Sequence, residues 1–168
     1  MFYPTYRFRS VCDISPTFLL EKGLRNLVLD VDNTLTTHDH PDPGEGVAAW
    51  LQSLRESGIR AVILSNNNAD RVRPFAAQLC LPFEADGAKP LTGGYERCRR
   101  RFGCGKNEMA TVGDQLLTDI WGGWRYGIPT ILVDPIEPEH FWFFKCKRAI
   151  ERRMLGRYER EGKARYER

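Results

Sequence analysis

The segment NLVLDVDNTLTTHD, from Asn26 to Asp39, joins a continuous apolar run to a group of carboxylates. Residues 26–31 have the length and apolar continuity of a strand that is buried on both faces of a sheet. Asp30 and Asp32 stand at the end of this run, and side chains two residues apart on a strand project from the same face. The segment therefore predicts a buried strand that presents two neighbouring carboxylates at its carboxyl end.

Strand and helix patterns alternate along the chain on both sides of this segment. The predicted strands are 26–31, 59–65, 81–85, 109–114 and 129–135, and the predicted helices are 15–23, 44–58, 69–80, 92–103 and 116–127. Ser15 is expected to cap the first helix, and Pro74 is expected to limit the start of the third. This alternation indicates βαβ units, and hence an α/β fold whose parallel sheet is covered by helices on both faces.

Length and composition indicate one domain over residues 1–168, because 42% hydrophobic residues suffice for an ordinary globular core. The five cysteines form no CxxC pair, so neither a disulfide framework nor a zinc site is favoured, and reduced cytoplasmic thiols are expected. No apolar run approaches the ~18 residues of a transmembrane helix. A protein that is soluble, or peripheral on the inner membrane face, is expected.

The net charge of +3 is distributed unevenly along the chain. Residues 145–168 contain ten Lys or Arg and four Asp or Glu, which leaves residues 1–144 with a net charge of −3. We therefore expect a basic helix or tail at about 138–168. Segments of this sign commonly bind phosphate on a lipid, on nucleic acid or on the ribosome.

Polar residues follow the predicted strands where each strand ends. Asp30 and Asp32 end the first strand, Ser65 ends the second, Lys89 follows the third and Asp114 ends the fourth. Active sites of open parallel sheets lie outside the carboxyl ends of the strands. The sequence therefore predicts that these five side chains meet at one edge of the sheet.

Gathered carboxylates repel one another, and either a raised pKa or a bound cation relieves the repulsion. Hard oxygen ligands suit Mg²⁺, while Lys89 and the Ser65 hydroxyl supply a positive charge and a donor for phosphoryl oxygens. A carboxylate that faces such a pocket can attack phosphorus and form an aspartyl-phosphate.

Four short motifs carry a family resemblance. DVDNT (30–34), LSNN (64–67), AKP (88–90) and GDQLLTD (113–119) resemble, in order, the four motifs of the haloacid dehalogenase (HAD) superfamily. Each motif alone is weak, whereas all four in order at strand ends are highly specific. The resemblance implies a three-layer, Rossmann-like fold with a parallel sheet.

The resemblance also implies roles for the motif residues. Asp30 would be the nucleophile, and Asp32 would protonate the leaving group and then activate water, as in the phosphatases of the superfamily. Mg²⁺ would be held by Asp30, the main-chain carbonyl of Asp32, and Asp114, with Asp119 supporting the metal's water molecules. The phosphoryl group would be bound by Thr34, Ser65, Asn66 and Lys89.

Each of these residues has a simpler interpretation when it is taken alone. Ser65 could cap the next helix, Asp119 could be a solvated surface residue, and Lys89 could belong to a turn. His38 and His40 are expected in an exposed, proline-rich loop rather than in a site.

The spacing between motifs leaves no room for an inserted cap domain. Asp32 to Ser65 accommodates a loop, a helix and a strand, and Ser65 to Lys89 accommodates a helix and a short edge strand. An open site suits a phosphate on a lipid, a polymer or a protein, or on a small ligand if another subunit acts as a lid. The oligomeric state is left open.

The C-terminal segment joins an aromatic run, Phe141 to Phe144, to a basic helix. Such a segment can lie in a lipid interface, or its aromatic residues can pack the last helix on the sheet while the arginines face solvent. One helix can do both on different sides.

Nearly the whole chain resembles the YqeG-type branch of HAD subfamily III-A, whose relatives include phosphatidylglycerophosphate phosphatases. The resemblance extends through DISP (13–16), GIRAVILSNNN (58–68), TILVDPI (130–136) and IERRMLG (150–156). It implies removal of the terminal phosphate of phosphatidylglycerophosphate, which yields phosphatidylglycerol.

Two other functions remain open. The first is a phosphatase for a soluble sugar phosphate, a nucleotide or a phosphoprotein. The second is an RNA- or ribosome-associated basic module with a vestigial site. No RNA-binding motif is visible, so a nucleic-acid partner is not expected.

Overall fold

The computed structural model describes residues 2–37, 40–137, 142–162 and 166–167. His38 and the side chains of the aromatic run 141–144 lie outside this description, so the expectations for them are not addressed. The elements below account for most of the described chain.

A six-stranded parallel sheet forms the centre of the molecule, with strand order β1-β6-β5-β2-β3-β4. The strands are β1 (Tyr6–Phe8), β2 (Asn26–Leu29), β3 (Arg60–Leu64), β4 (Phe83–Glu84), β5 (Met109–Gly113) and β6 (Thr130–Val133). In the central register, Leu29 pairs with Ile63 on one side and with Val112 on the other. The predicted α/β fold with a parallel sheet is confirmed.

In the described residues, six α-helices cover the two faces of the sheet. They are α1 (Pro16–Glu21), α2 (Val47–Glu56), α3 (Ala69–Gln78), α4 (Gly93–Phe102), α5 (Trp121–Tyr126) and α6 (Trp142–Arg160). Leu27 and Leu29 of β2 pack with α1, α2 and α3, whereas Val28 packs with α4 and α5. Alternate side chains of one strand thus serve two separate cores, which gives the three layers that the sequence predicts.

The connections near the site are short. β2 and β3 are joined through α2, and α3 and β4 lie between β3 and Lys89. The carboxyl ends of β2, β3 and β5 are therefore left open at one edge of the sheet, which is called the catalytic edge below.

Two helix boundaries test the capping predictions. The Ser15 hydroxyl accepts a hydrogen bond from Phe18 N at 3.1 Å, so the predicted cap is confirmed. The expectation that Pro74 limits the start of α3 is wrong, because the helix begins at Ala69 and contains Pro74 in its interior. Asn68 starts the helix, since its side chain accepts from Arg71 N at 3.1 Å.

Strand β1 is not among the predicted strands, because the polar-aromatic alternation of TYRFR covers only five residues and the strand itself only three. Its middle residue, Arg7, is buried, and the guanidinium contacts Asp134 at 3.2 Å and Glu159 at 2.5 Å. These partners lie far along the chain, so no local pattern could indicate that this charge is buried.

The described part of the basic C-terminal segment packs on the sheet. Met154 and Leu155 of α6 contact a small core cluster that contains Leu116 and Leu132. Glu151 is buried and accepts from Leu117 N at 3.0 Å. Among the described residues, no helix is both long and apolar enough to cross a membrane.

Candidate active site

A buried lysine links two carboxylates at the catalytic edge. Lys89 Nζ lies 2.5 Å from Asp30 Oδ1 and 2.6 Å from Asp119 Oδ1. The Lys89 side chain is only 3% exposed, so the interpretation of Lys89 as a simple turn residue is wrong. Its charge is placed where it neutralises part of a carboxylate group that would otherwise be unstable.

Asp114 completes this carboxylate group from the end of β5. Asp30, Asp114 and Asp119 each offer a carboxylate oxygen within 4.8 Å of the others. Thr34 lies beside them, and its hydroxyl is 3.4 Å from Asp30 Oδ2 and 3.5 Å from Asp114 Oδ1. The predicted meeting of Asp30, Asp114 and Lys89 at one edge is thus found in the structure.

Burial and charge shift the pKa values within this group. Burial raises the pKa of Asp30, Lys89 lowers it and the Asp119 charge raises it, and together these effects bring that pKa to about 6. Burial lowers the pKa of Lys89, but Asp119 and Asp30 outweigh it and hold that pKa above its usual range. Lys89 therefore remains cationic. The ionised form of Asp30 is disfavoured by burial and by the neighbouring carboxylates, and an additional cation would stabilise it.

The donor set fits a hard divalent cation. Three carboxylates lie together, and Lys89 pairs with two of them, which leaves an excess of negative charge among oxygen ligands of the kind that Mg²⁺ prefers. Asp119 is 1% exposed and belongs to this set directly, so its interpretation as a solvated surface residue is wrong.

Asp119 is held by its own surroundings. Asp119 Oδ2 accepts from Gln115 N at 3.3 Å, and its main-chain carbonyl accepts from Tyr95 Oη at 3.2 Å. A Cβ at Gly113 would lie 2.4 Å from Asp119 Cγ. Glycine at the end of β5 is what allows this carboxylate to approach the strand.

Asp32 has different partners from Asp30. Asn67 Nδ2 donates to Asp32 Oδ2 at 2.7 Å, and Arg71 Nη2 lies 3.1 Å from Asp32 Oδ1. The two neighbouring carboxylates are thus divided, with Asp30 bound to the buried lysine and Asp32 bound to the first turn of α3 and the loop before it. This arrangement leaves the Asp32 carboxylate outside the group of three described above.

The loop after β3 is organised by its own side chains. Ser65 Oγ accepts from Asn67 N at 3.1 Å, and the helix cap is Asn68, so the interpretation of Ser65 as the cap of α3 is wrong. The Asn66 side chain contacts the main chain of Lys89 twice, accepting from Lys89 N at 2.7 Å and donating to Lys89 O at 3.2 Å. Asn66 thus fixes the Lys89 loop, and phosphate binding by Asn66, Ser65 and Thr34 stays a prediction.

The remaining candidate ligands do not join the carboxylate group. His40 is exposed and contacts Asp42 of its own loop, as expected. Cys12, Cys80, Cys98 and Cys104 are free thiols. In the part of the chain that the structure describes, the carboxylate group is the only cluster with metal-ligand geometry.

Sequence reasoning did not identify Asn67 and Arg71 as site residues. Asn67 lies within the SNNN run, but nothing in that run distinguishes it from Asn66 or Asn68. Arg71 belongs to an ordinary polar helix turn, and its proximity to Asp32 arises only from the packing of α3 beside β2.

Comparisons with known proteins agree with this geometry. A sequence model of the haloacid dehalogenase-like hydrolases matches residues 17–127. A protein of Bacillus subtilis (strain 168), described as "Probable phosphatase YqeG", is 34% identical over 166 residues, which cover 99% of this chain and 96% of the relative.

Two further relatives are more distant. A chloroplastic and mitochondrial phosphatidylglycerophosphate phosphatase 1 of Arabidopsis thaliana is 28% identical over 86% of this chain, which spans only 44% of that relative's length. The fold also matches a crystal structure of an uncharacterised protein from Listeria monocytogenes serotype 4b. The match covers 70% of this chain and 85% of the Listeria chain, with a TM-score of 0.58 and 19% identity. The structural likeness supports the fold, and the sequence likeness supports the chemistry.

Proposed function

The chain belongs to the haloacid dehalogenase-like hydrolases and is a phosphatase, and from this premise we propose that residues 1–168 form a single Mg²⁺-dependent domain that dephosphorylates phosphatidylglycerophosphate. The observation that carries the proposal is the Lys89 ammonium, which is held between the carboxylates of Asp30 and Asp119 at an open sheet edge. This arrangement suits a phosphoryl group, because the lysine offers a fixed positive charge beside a carboxylate nucleophile.

In the proposed reaction, Asp30 attacks phosphorus and forms an aspartyl-phosphate while the leaving oxygen departs. Lys89 and the hydroxyls of Thr34 and Ser65 orient the phosphoryl oxygens. Mg²⁺, when bound by Asp30, Asp114 and the Asp32 main-chain carbonyl, would neutralise phosphoryl charge, with Asp119 supporting its water ligands.

Asp32 is the proposed proton carrier. Protonated, it gives its proton to the leaving oxygen, and as a carboxylate it then takes a proton from the water that hydrolyses the acyl phosphate. Its contacts with Asn67 and Arg71 support this role, because they fix the carboxylate beside Asp30 without placing it among the three clustered carboxylates.

A lipid substrate is supported by the surface around the site. The exposed large aliphatic side chains in the described residues are Leu91, Ile136 and Ile150, and each belongs to a segment that contacts or adjoins the catalytic edge. Leu91 follows Lys89 in its loop, and Ile136 N donates to Asn33 O at 3.2 Å. Ile150 precedes Glu151, which binds Leu117 just past the end of β5. These three residues are called the apolar rim.

The apolar rim is accompanied by positive charge on α6. Arg152 and Arg153 are exposed and follow Ile150 in the chain. Apolar side chains enter a lipid interface, and each arginine near an anionic surface contributes on the order of 1 kcal/mol. We therefore place the catalytic edge against the cytoplasmic face of a membrane, as a peripheral contact.

The test is phosphate release from phosphatidylglycerophosphate in mixed micelles, with Mg²⁺ and with EDTA, beside a panel of soluble sugar phosphates, nucleotides and a phosphoprotein. We expect phosphate release that requires Mg²⁺ and is faster from the lipid than from the soluble esters. Equal or better release from a soluble ester would refute the lipid assignment but retain the phosphatase. No release from any ester, together with salt-sensitive RNA binding by the inactive Asp30→Asn variant, would favour the RNA-associated alternative.

A further inference from the structure

A cavity of about 300 Å³ adjoins Asp32 on the side away from Lys89. Its walls come from the first turns of α3 and from the loop around His40 and Pro41. The apolar part of the lining includes Val72, Pro74 and Phe75, and the polar part includes Asp32, Asn67, Asp70 and Arg71. Ser65 connects this cavity to the proposed phosphoryl position.

The leaving group of the proposed reaction has to pass this cavity. Asp32 donates its proton to the leaving oxygen, so that oxygen lies within hydrogen-bond reach of the Asp32 carboxylate during the first step. The Lys89 side of the site is occupied by the phosphoryl group and the clustered carboxylates. The alcohol portion of the substrate therefore extends from Asp32 towards α3.

Arg71 stands at the point where that alcohol enters the cavity. Its Nη2 lies 3.1 Å from Asp32 Oδ1, and its side chain is 41% exposed. A guanidinium has five N–H donors arranged as a planar fork, so it can contact Asp32 and a phosphate oxygen at the same time. The Arg71–Asp32 pair therefore places a positive charge beside the part of the substrate alcohol that lies a few bonds beyond the leaving oxygen.

We propose that Arg71 is a specificity-determining residue that binds a second phosphate, a phosphodiester carried by the leaving group one glycerol away from the scissile monoester. This inference rests on the proposed function and specifies its substrate class. The 3.1 Å contact between Arg71 and Asp32 places the guanidinium within reach of a phosphate that one glycerol joins to the leaving oxygen. The apolar residues Val72 and Phe75 contribute the wall along which the glycerol carbons lie.

The test uses two soluble substrates that differ by one glycerophosphoryl group, which carries the phosphodiester. One is glycerol 3-phosphate, and the other is glycerophosphoglycerophosphate, the deacylated headgroup of the proposed lipid. Because neither has acyl chains, vesicle binding does not enter the measurement. The quantity compared is the ratio of their kcat/KM values in the wild type and in the variants Arg71→Met and Arg71→Lys.

We expect the wild type to prefer the headgroup, and Arg71→Met to reduce that preference about 10-fold or more, the scale of one charge-assisted hydrogen bond. Arg71→Met also lowers kcat/KM for glycerol 3-phosphate, because Asp32 loses a partner. Arg71→Lys retains the charge and should give an intermediate ratio.

Two further variants separate substrate binding from the positioning of Asp32. Asn67→Ala removes a different Asp32 contact without removing a charge, so it should lower kcat/KM for both substrates by the same factor. Arg73→Met is the matched control, since Arg73 lies on the same helix with its guanidinium 5.5 Å from the Phe83 ring centroid. It should leave the ratio unchanged.

Two results would overturn the assignment of Arg71. The first is a wild-type enzyme whose kcat/KM for glycerol 3-phosphate equals its kcat/KM for the headgroup. The second is an Arg71→Met variant that loses activity on both by equal factors, which would reduce Arg71 to a positioning residue for Asp32. Failure of the wild type on both soluble substrates and on the lipid would instead overturn the proposed function, and this assignment with it.

Discussion

Asp30 and Asp32 differ by their partners rather than by residue type. Asp30 faces a buried cation and two further carboxylates, whereas Asp32 faces an amide and a guanidinium. Asp30→Ala should abolish turnover because no nucleophile remains. Asp32→Asn should lower kcat at least ~100-fold, the scale of lost acid-base assistance.

Steady-state phosphate release measures both effects. Glu45→Gln is a suitable control, because Glu45 is an exposed carboxylate outside the site, and its kcat should match the wild type. Normal turnover by either aspartate variant would remove the proposed mechanism.

A substitution at Gly113 tests whether Asp119 needs the close approach to β5 that a glycine permits. Gly113→Ala places a methyl group against the Asp119 carboxylate, which has to move away from Lys89. We expect a loss of about 1–3 kcal/mol in the free energy of unfolding, together with a large fall in kcat/KM. Urea unfolding and phosphate-release kinetics report the two effects.

The same substitution at Gly93 is the matched control. A Cβ there meets only Arg97 Nη1 at 3.9 Å, so Gly93→Ala should be neutral or slightly stabilising within its helix. Equal behaviour of the two variants would show that Asp119 does not depend on the glycine.

The residues that follow strands could be predicted from the sequence, because strand ends in a parallel sheet share one edge. Asp30, Asp114 and Lys89 meet there as expected. The partners of Asp32 could not be predicted, since they depend on how α3 packs beside β2. Arg71 is therefore a residue that only the three-dimensional arrangement identifies.

At the scale of elements, the first turn of α3 lies between the proposed phosphoryl position and the cavity, and this turn depends on Asn68. Asn68→Ala removes the acceptor for Arg71 N and should lower the free energy of unfolding by about 1 kcal/mol. Because Arg71 lies in that turn, kcat/KM for the headgroup substrate should also fall. Urea unfolding and kinetics on the same samples give both values.

Ser15→Ala offers the matched comparison, since it removes the equivalent cap from α1. It should cost similar stability with no effect on kcat/KM, because α1 does not contribute to the catalytic edge. A parallel loss of activity in both variants would mean that stability alone determines the effect.

The periodicity of apolar residues predicts the elements that bury one regular face. It fails for elements whose structure depends on partners that lie far away in the chain. The helix at 92–103 is observed at Gly93–Phe102, because its apolar spacing is regular and Gly103 ends it with a φ of +64°. β1 is too short to show a pattern and depends on β6. Residues 116–127, predicted as one helix, instead form a π-helical turn at Leu116–Ile120 followed by α5.

At the scale of the whole molecule, the apolar rim and the α6 arginines form the proposed membrane-contacting surface. Replacing Leu91, Ile136 and Ile150 together by serine should weaken binding to anionic vesicles, because each side chain would lose its burial in the interface. Arg152→Gln combined with Arg153→Gln should weaken binding mainly at low salt. Vesicle co-sedimentation measures both.

Trp124→Ala is the control, because it removes an exposed apolar side chain that does not belong to the apolar rim. Trp124 is 51% exposed but lies beside Phe2, before the start of β1 and away from the catalytic edge, so vesicle binding should be unchanged. If the rim variant binds vesicles as the wild type does, the proposed orientation is wrong. Deleting the tail is a poorer test, because Glu151 and Tyr158 of α6 are buried in the fold.

The central claim is that Asp30 carries the phosphoryl group during turnover. The most direct measurement is intact mass spectrometry of the Asp32→Asn variant after incubation with Mg²⁺ and p-nitrophenyl phosphate, whose leaving group needs no acid. We predict one added phosphoryl group, converted by borohydride to homoserine at position 30 and absent from the Asp30→Asn/Asp32→Asn double variant. A phosphoryl group on another residue, or p-nitrophenol release with no adduct and undiminished turnover, would contradict it.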